Sequence, residues 1–388
     1  MILVKIIQSL KMLARPFIKP LLHRYKCYLF SKKHFSRSLA NGRIELPLEI
    51  QKMTSCHLIL GHTNYLIASG GTEKFIVEQI ELLLSSHINN LFIYPVGEPS
   101  RLMRDRPTSY GVILNGFQFC EISSSQLPAF LSQVQPKVNE LLLHHLLFWP
   151  LTEVLQITEM FHKQKISIQI YLHDFYFKCP KVNLFCLSGD AKCRVTYSAN
   201  LVRQWRERYD QILGLADKIL TPSEYMRKQV PPKRHSHVYM AKAEGNSAQN
   251  SRKLKLCFLG HASEIKGYKT WQSLSRNALI TRMYELIHIG SGAQSSLEIP
   301  VVEYSYKHTR SAVASELLLK YEVDYVLLWS QVPESYSFTF EEARRANKFV
   351  ITDAKSGNIA ASLANKTSEG LVLQSEFELV QFLLRQPL

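Results

Sequence analysis

Short apolar runs rich in β-branched and aromatic residues alternate with amphipathic stretches from about residue 56 onward, and they do so in two separate series. The first series holds runs at 56–61, 90–95, 140–147, 166–172 and 217–221. The run at 140–147 (ELLLHHLL) reads equally as strand or helix. The second holds runs at 253–260, 284–290, 323–329, 349–353 and 370–373. Helical patterns lie between them, at 73–84, where Ile76, Ile80 and Leu83 share a face, and near 266–275, 310–321 and 338–346. A last amphipathic helix follows Ser375 and Glu378, which have capping-box spacing, with Phe377, Val380, Leu383 and Leu384 on its apolar face. Near-continuous apolar strands separated by amphipathic helices predict parallel sheets covered on both faces. Two such series predict an α/β chain of two doubly wound, Rossmann-like domains.

Charge sets the remaining boundaries. Residues 1–40 carry nine Lys or Arg and no acid, +9 of the net +15, so the other 348 residues carry only +6. A basic, partly apolar leader of this kind suits an anionic membrane surface, or equally a helix packed on the first domain. No nucleic-acid motif accompanies the charge, so nucleic acid is not expected as a partner. The stretch 230–252, with Pro231-Pro232 and a small polar tail, reads as a linker. The expected organisation is a basic extension at 1–50, a first domain at 51–229, the linker, and a second domain at 253–388.

The composition, 46% hydrophobic and 20% charged, excludes wholesale disorder, and no window approaches 18 uninterrupted apolar residues. The seven cysteines form no CxxC pair, which points to a reducing, cytoplasmic compartment, peripheral to the membrane's inner face if the leader binds there. Cys179, Cys186 and Cys193 are spaced too widely for a usual zinc site. There is no D-x-D pair, so neither a divalent metal nor another cofactor is expected.

Candidate chemistry falls at strand-to-helix turns. Gly70 and Gly71 precede a helix, where a bare backbone and free N–H groups suit an anion or merely a turn. Glu334 and Glu342 stand with seven residues between them across a loop and helix start, where Ser337, Phe338 and Thr339 can present N–H groups to phosphates and a carboxylate can accept ribose hydroxyls. A solvated acidic helix start accounts for the same spacing. His173-Asp174 ends one strand, and His261 with Lys266 follows another. Trp149, His144 and His145 suit either an acceptor cleft or core packing.

Taken together these motifs resemble the retaining glycosyltransferases of family 4, which have two Rossmann-like domains facing across a cleft (GT-B). The matching pieces are Gly70-Gly71-Thr72-Glu73, the stretch 173–184 beginning His173-Asp174, Ala216-Asp217 to Ser223, Phe258-Leu259-Gly260-His261, Lys266-Gly267 and the Glu334…Glu342 pair. Coverage runs from about residue 56 to about 365, and residues 1–50 lie outside it. The resemblance implies that Glu342 binds the nucleotide ribose and Glu334 the donor sugar. It implies that Lys266 holds the diphosphate, with Gly70 and Gly71 closing over it, and that His173 lies beside the anomeric carbon. Two departures stand out: His261 where the family carries Arg, and Ser335 and Ser337 where it carries glycines. The implied activity is transfer from a nucleotide-sugar donor to a cell-surface glycan or lipid-linked acceptor, with retention. The rival readings are a non-catalytic subunit scaffolding a biosynthetic complex, and a sugar-nucleotide epimerase.

Overall fold

The computed structural model describes residues 46–97, 107–178, 180, 199–231, 236–238, 252–293, 298–304, 314–364 and 366–385. The basic leader, most of the 230–252 stretch and Cys179, Cys186 and Cys193 lie outside them. The chain divides into two compact units, Met1–Glu244 and Gly245–Leu388.

Unit 1 is built on one eight-stranded sheet. Its strands are β1 (Cys56–Leu60), β2 (Asn90–Val96), β3 (Ser109–Leu114), β4 (Phe117–Ser123), β5 (Val138–Leu143), β6 (Ser167–Tyr171), β7 (Lys218–Thr221) and β8 (Ser236–Val238). The spatial order is β4-β3-β2-β1-β5-β6-β7-β8, parallel throughout except for the antiparallel β2–β3–β4 edge. That edge turns on Asn115-Gly116, both at positive φ, a two-residue hairpin signal. The ambiguous run at 140–147 is strand through Leu143, within β5, which pairs with β1 on one side and β6 on the other and is buried along its last three residues.

Unit 2 has β9 (Leu254–Leu259), β10 (Tyr284–Gly290), β11 (Val301–Glu303), β12 (Tyr325–Leu328), β13 (Phe349–Asp353) and β14 (Gly370–Leu373). The order β11-β10-β9-β12-β13-β14 is all parallel, the doubly wound pattern read from the sequence. One face of its sheet joins helices in a single core, with Cys257, Leu259, Ile289, Val326 and Val350 meeting Leu318, Phe340 and Ile359. The last helix, Glu376–Arg385, is capped by Ser375 Oγ accepting from Glu378 N at 3.2 Å and buries Val380, Leu383 and Leu384 as expected.

In each sheet the winding reverses once. The chain leaves β1 towards β2 and returns to place β5 on its other side; likewise it leaves β9 towards β10 and returns with β12. Such a switch point parts the loops at the strand C-terminal ends and opens a crevice there, where ligands bind in open α/β sheets.

Candidate functional site

The β1–β5 switch point of unit 1 gathers four histidines. His62 follows β1, His144 and His145 follow β5, and His173-Asp174 follows β6, while Glu73, Phe75 and Gln79 reach in from the helix Gly71–Ser85. His62 Nε2 lies 3.1 Å from Glu73 Oε1, both buried. His145 Nε2 lies 2.7 Å from Asp174 Oδ2, an ion-pair contact not aligned as a hydrogen bond. The other Asp174 oxygen accepts from Tyr176 N at 2.8 Å and so caps the short turn Phe175–Phe177. His144 bridges Gln79 and His173, with 2.8 Å from its Nε2 to Gln79 Oε1 and 2.9 Å from its Nδ1 to His173 Nε2.

Two of these imidazoles, His144 and His173, are kept neutral. Burial, then the nearby His173 and His62, hold His144 well below the usual imidazole range. Burial first and His145 next push His173 down to about 3, against the opposing pull of Asp174. A neutral imidazole keeps one donor and one acceptor, which suits a sugar hydroxyl better than a phosphate.

The two glycines before this helix differ. A Cβ on Gly70 would fall 2.3 Å from Glu73 Oε2, so Gly70 lets the Glu73 carboxylate fold back over the helix start, as in a capping box. A Cβ on Gly71 would meet nothing within 4 Å. The Gly70 position is thus explained by the protein's own packing, whereas Gly71 faces open space.

At the β9–β12 switch point of unit 2 lies a cavity of about 380 Å³, lined among others by Gly260, His261, Lys266, Glu334, Ser337, Phe338 and Thr339. Lys266 Nζ pairs with Glu334 Oε2 at 2.9 Å, the carboxylate nearly buried and the ammonium half-exposed. Lys266 is aimed by the turn after it: Gly267 has φ 79° and caps the helix Tyr268–Arg276, and a Cβ there would fall 2.1 Å from Trp329 O. Ser337 caps the helix Phe338–Arg345 through its hydroxyl, accepting from Phe340 N at 3.4 Å, which places that helix start at the cavity wall. Neither Ser335 nor Ser337 takes a positive φ, so serine in place of glycine brings no backbone strain. His261 is exposed, with Nδ1 3.0 Å from Ser291 Oγ.

Six side chains named from the sequence in this half therefore meet at one cavity: His261, Lys266, Glu334, Ser337, Phe338 and Thr339. Glu342 is engaged elsewhere. Its carboxylate is 7% exposed, accepts from Ser315 N at 3.0 Å and pairs with Arg345 at 2.7 Å. In unit 1 the sequence reading named His173 but gave no role to His62 and left His144, His145 and Trp149 between cleft and core. All three of the latter are buried, and Trp149 donates to Gly61 O at 2.7 Å. The available signal was the His-His pair directly after an apolar run. Phe148, at φ 72°, is a bulky residue in the left-handed region just beyond it, a strain often met at functional sites.

No protein-family model matches the chain, and no curated protein does. Among solved structures, the C-terminal domain of a glycosyl transferase group 1 family protein (LpcC) from Francisella tularensis aligns at 14% identity over 34% of this chain and 73% of that one, TM-score 0.27. Anabaena Alr3699/HepE in complex with UDP-glucose aligns at 12% over 84% and 88%, TM-score 0.27. An alpha-glucosyltransferase in complex with UDP and a 13-mer DNA containing an HMU base aligns at 12% over 86% and 91%, TM-score 0.30. At these identities and scores the likeness assigns neither family nor chemistry, and the site stands on its own geometry.

Proposed function

We propose that the protein is a glycosyltransferase that uses a nucleotide-sugar donor. The observation that carries this reading is the cavity at the β9–β12 switch point, where Lys266, its partner Glu334 and a serine-capped helix start converge. In glycosyl transfer the bond between the anomeric carbon and the diphosphate oxygen breaks, and negative charge builds on that oxygen. An ammonium and helix N–H groups gain more from the departing dianion than from the intact donor, so they lower the barrier. Glu334 both holds Lys266 in place and offers a carboxylate to sugar hydroxyls. The neutral histidines of unit 1, His173 first, suit hydroxyl groups of donor sugar or acceptor.

The finer parts of the reading belong to the same proposal: retention at the anomeric carbon, a cell-surface glycan or lipid-linked acceptor, no need for a divalent metal or other cofactor, and a membrane-facing role for the basic leader. No helix among the described residues is long and apolar enough to cross a membrane. A non-catalytic role in a biosynthetic complex draws on one observation, the Glu342 carboxylate already taken by Ser315 N and Arg345.

Thermal unfolding across UDP-, GDP-, dTDP- and ADP-sugars, with and without EDTA, tests the reading. A ligand at about 100 times its dissociation constant stabilises by about 2.7 kcal/mol. A selective shift that survives EDTA, followed by sugar transfer in a product assay, is the expected outcome. No shift with any donor favours the non-catalytic reading.

A further inference from the structure

A polar chain beneath His173 fixes where its proton sits. Gln79 Nε2 donates to Tyr171 Oη at 2.7 Å, and Tyr171 Oη donates onward to Gln169 Oε1 at 3.2 Å. With its amide nitrogen so used, Gln79 turns its carbonyl oxygen to His144 Nε2, 2.8 Å away. A carbonyl only accepts, so His144 carries its proton on Nε2. A neutral imidazole has one N–H, so His144 Nδ1 is an acceptor, and the atom 2.9 Å from it is His173 Nε2. His173 therefore carries its proton on Nε2 and leaves Nδ1 as the proton-free, accepting nitrogen.

We propose that His144 is a positioning residue that sets the tautomer of His173, so that His173 presents a proton acceptor at Nδ1. The proposal deepens the transferase reading and rests on it for the statement that His173 meets substrate. Ring packing already restrains the orientation of both imidazoles. His144 lies flat on Tyr171 (4.6 Å, 7°) and near His173 (5.2 Å, 18°), and Phe75 touches all three rings. What packing leaves undecided is which nitrogen holds the proton, and the hydrogen bond from His173 to His144 decides it. The titratable groups around His173 come from every neighbouring element: His62 after β1, Glu73 on the helix Gly71–Ser85, His144 and His145 after β5, and Asp174 beside it. Burial and the two flanking histidines outweigh the two carboxylates, so His173 stays neutral and the donor-acceptor sense holds.

The test is ¹⁵N NMR of the histidine side chains in the full chain, with signals assigned through single variants. The expected result is a pyrrole-type Nε2 and a pyridine-type Nδ1 on His173, with scalar coupling across the hydrogen bond to His144 Nδ1. His144→Phe keeps a ring on Tyr171 but removes the acceptor; His173 should then populate both tautomers. Turnover of the stabilising nucleotide-sugar should fall about tenfold, with the donor KM little changed, since the interaction is used in the transition state. His144→Asn, which restores an acceptor oxygen near the Nδ1 position, should restore the tautomer and most of the turnover. A His173 protonated on Nδ1 in the native protein, or a tautomer ratio unmoved by His144→Phe, overturns the proposal. If His144→Phe fails to fold, the native spectrum and His144→Asn still decide the matter. Native nitrogen shifts as expected, with no transfer from any donor, would uphold the tautomer assignment and overturn the transferase reading instead.

Discussion

At the β1–β5 switch point the polar groups are mostly imidazoles packed between aromatic rings, whereas at the β9–β12 switch point they are an ammonium, a carboxylate and a helix start facing a cavity. In the first, His144 and His173 are neutral because desolvation penalises their charged forms. The second stays wet enough to keep an ion pair, with the Lys266 side chain 42% exposed. On the proposed function, one topological device would serve two kinds of recognition, hydroxyl-directed in unit 1 and anion-directed in unit 2. The helices and loops added at each crevice, not the sheet, make the difference.

The comparison breaks first if unit 2 loses the backbone turn that aims Lys266. Gly267→Ala should cost roughly 3–4 kcal/mol, from the left-handed φ plus the collision with Trp329 O, read as a lower urea midpoint for the full chain. Lys266→Ala should leave the fold intact and weaken binding of the stabilising nucleotide-sugar about tenfold to a hundredfold by calorimetry. Equal affinity in that variant would remove the anion-directed description of unit 2.

Acid should separate the two regions next. An unfolded histidine gains its proton near 6.5, while His173 in the fold resists until about 3, so between these values the unfolded state binds more protons. Stability from this group is full above pH 6.5 and is lost as pH falls towards 3, at up to roughly 1.4 kcal/mol per pH unit. His173→Gln should flatten the slope of a melting-temperature series over that range by about one proton. An unchanged slope would mean that His173 is solvated and charged like an ordinary histidine.

The smallest effects sharpen the contrast within one loop. Gly70→Ala should cost about 1 kcal/mol, because the added Cβ displaces Glu73 from the helix start. Gly71→Ala should change stability by less than about 0.5 kcal/mol, since its Cβ enters open space. A loss of nucleotide-sugar binding in Gly71→Ala at unchanged stability would show a ligand approaching that backbone, as the family resemblance implies.

The alternation of apolar runs with amphipathic helices was enough to specify two doubly wound sheets, because a strand buried on both faces and a helix buried on one leave distinct local patterns. The strand-end motifs at 173, 261, 266 and 334–339 were legible for the same reason: a loop that follows such a strand sits on the crevice rim wherever the strand lies in the sheet. Local pattern could not say that the run starting at 140 opens as a strand, since an apolar run of that length suits a helix equally until neighbours pair with it. Only the insertion of β5 between β1 and β6 decided that, and with it the meeting of His62, His144, His145 and His173 from three separate loops. The partner of Glu342 was settled in the same way. Its spacing suited a ribose or a solvated helix start equally, and the family resemblance implied the ribose; packing of the helix Ala314–Lys320 brings Ser315 N to its carboxylate.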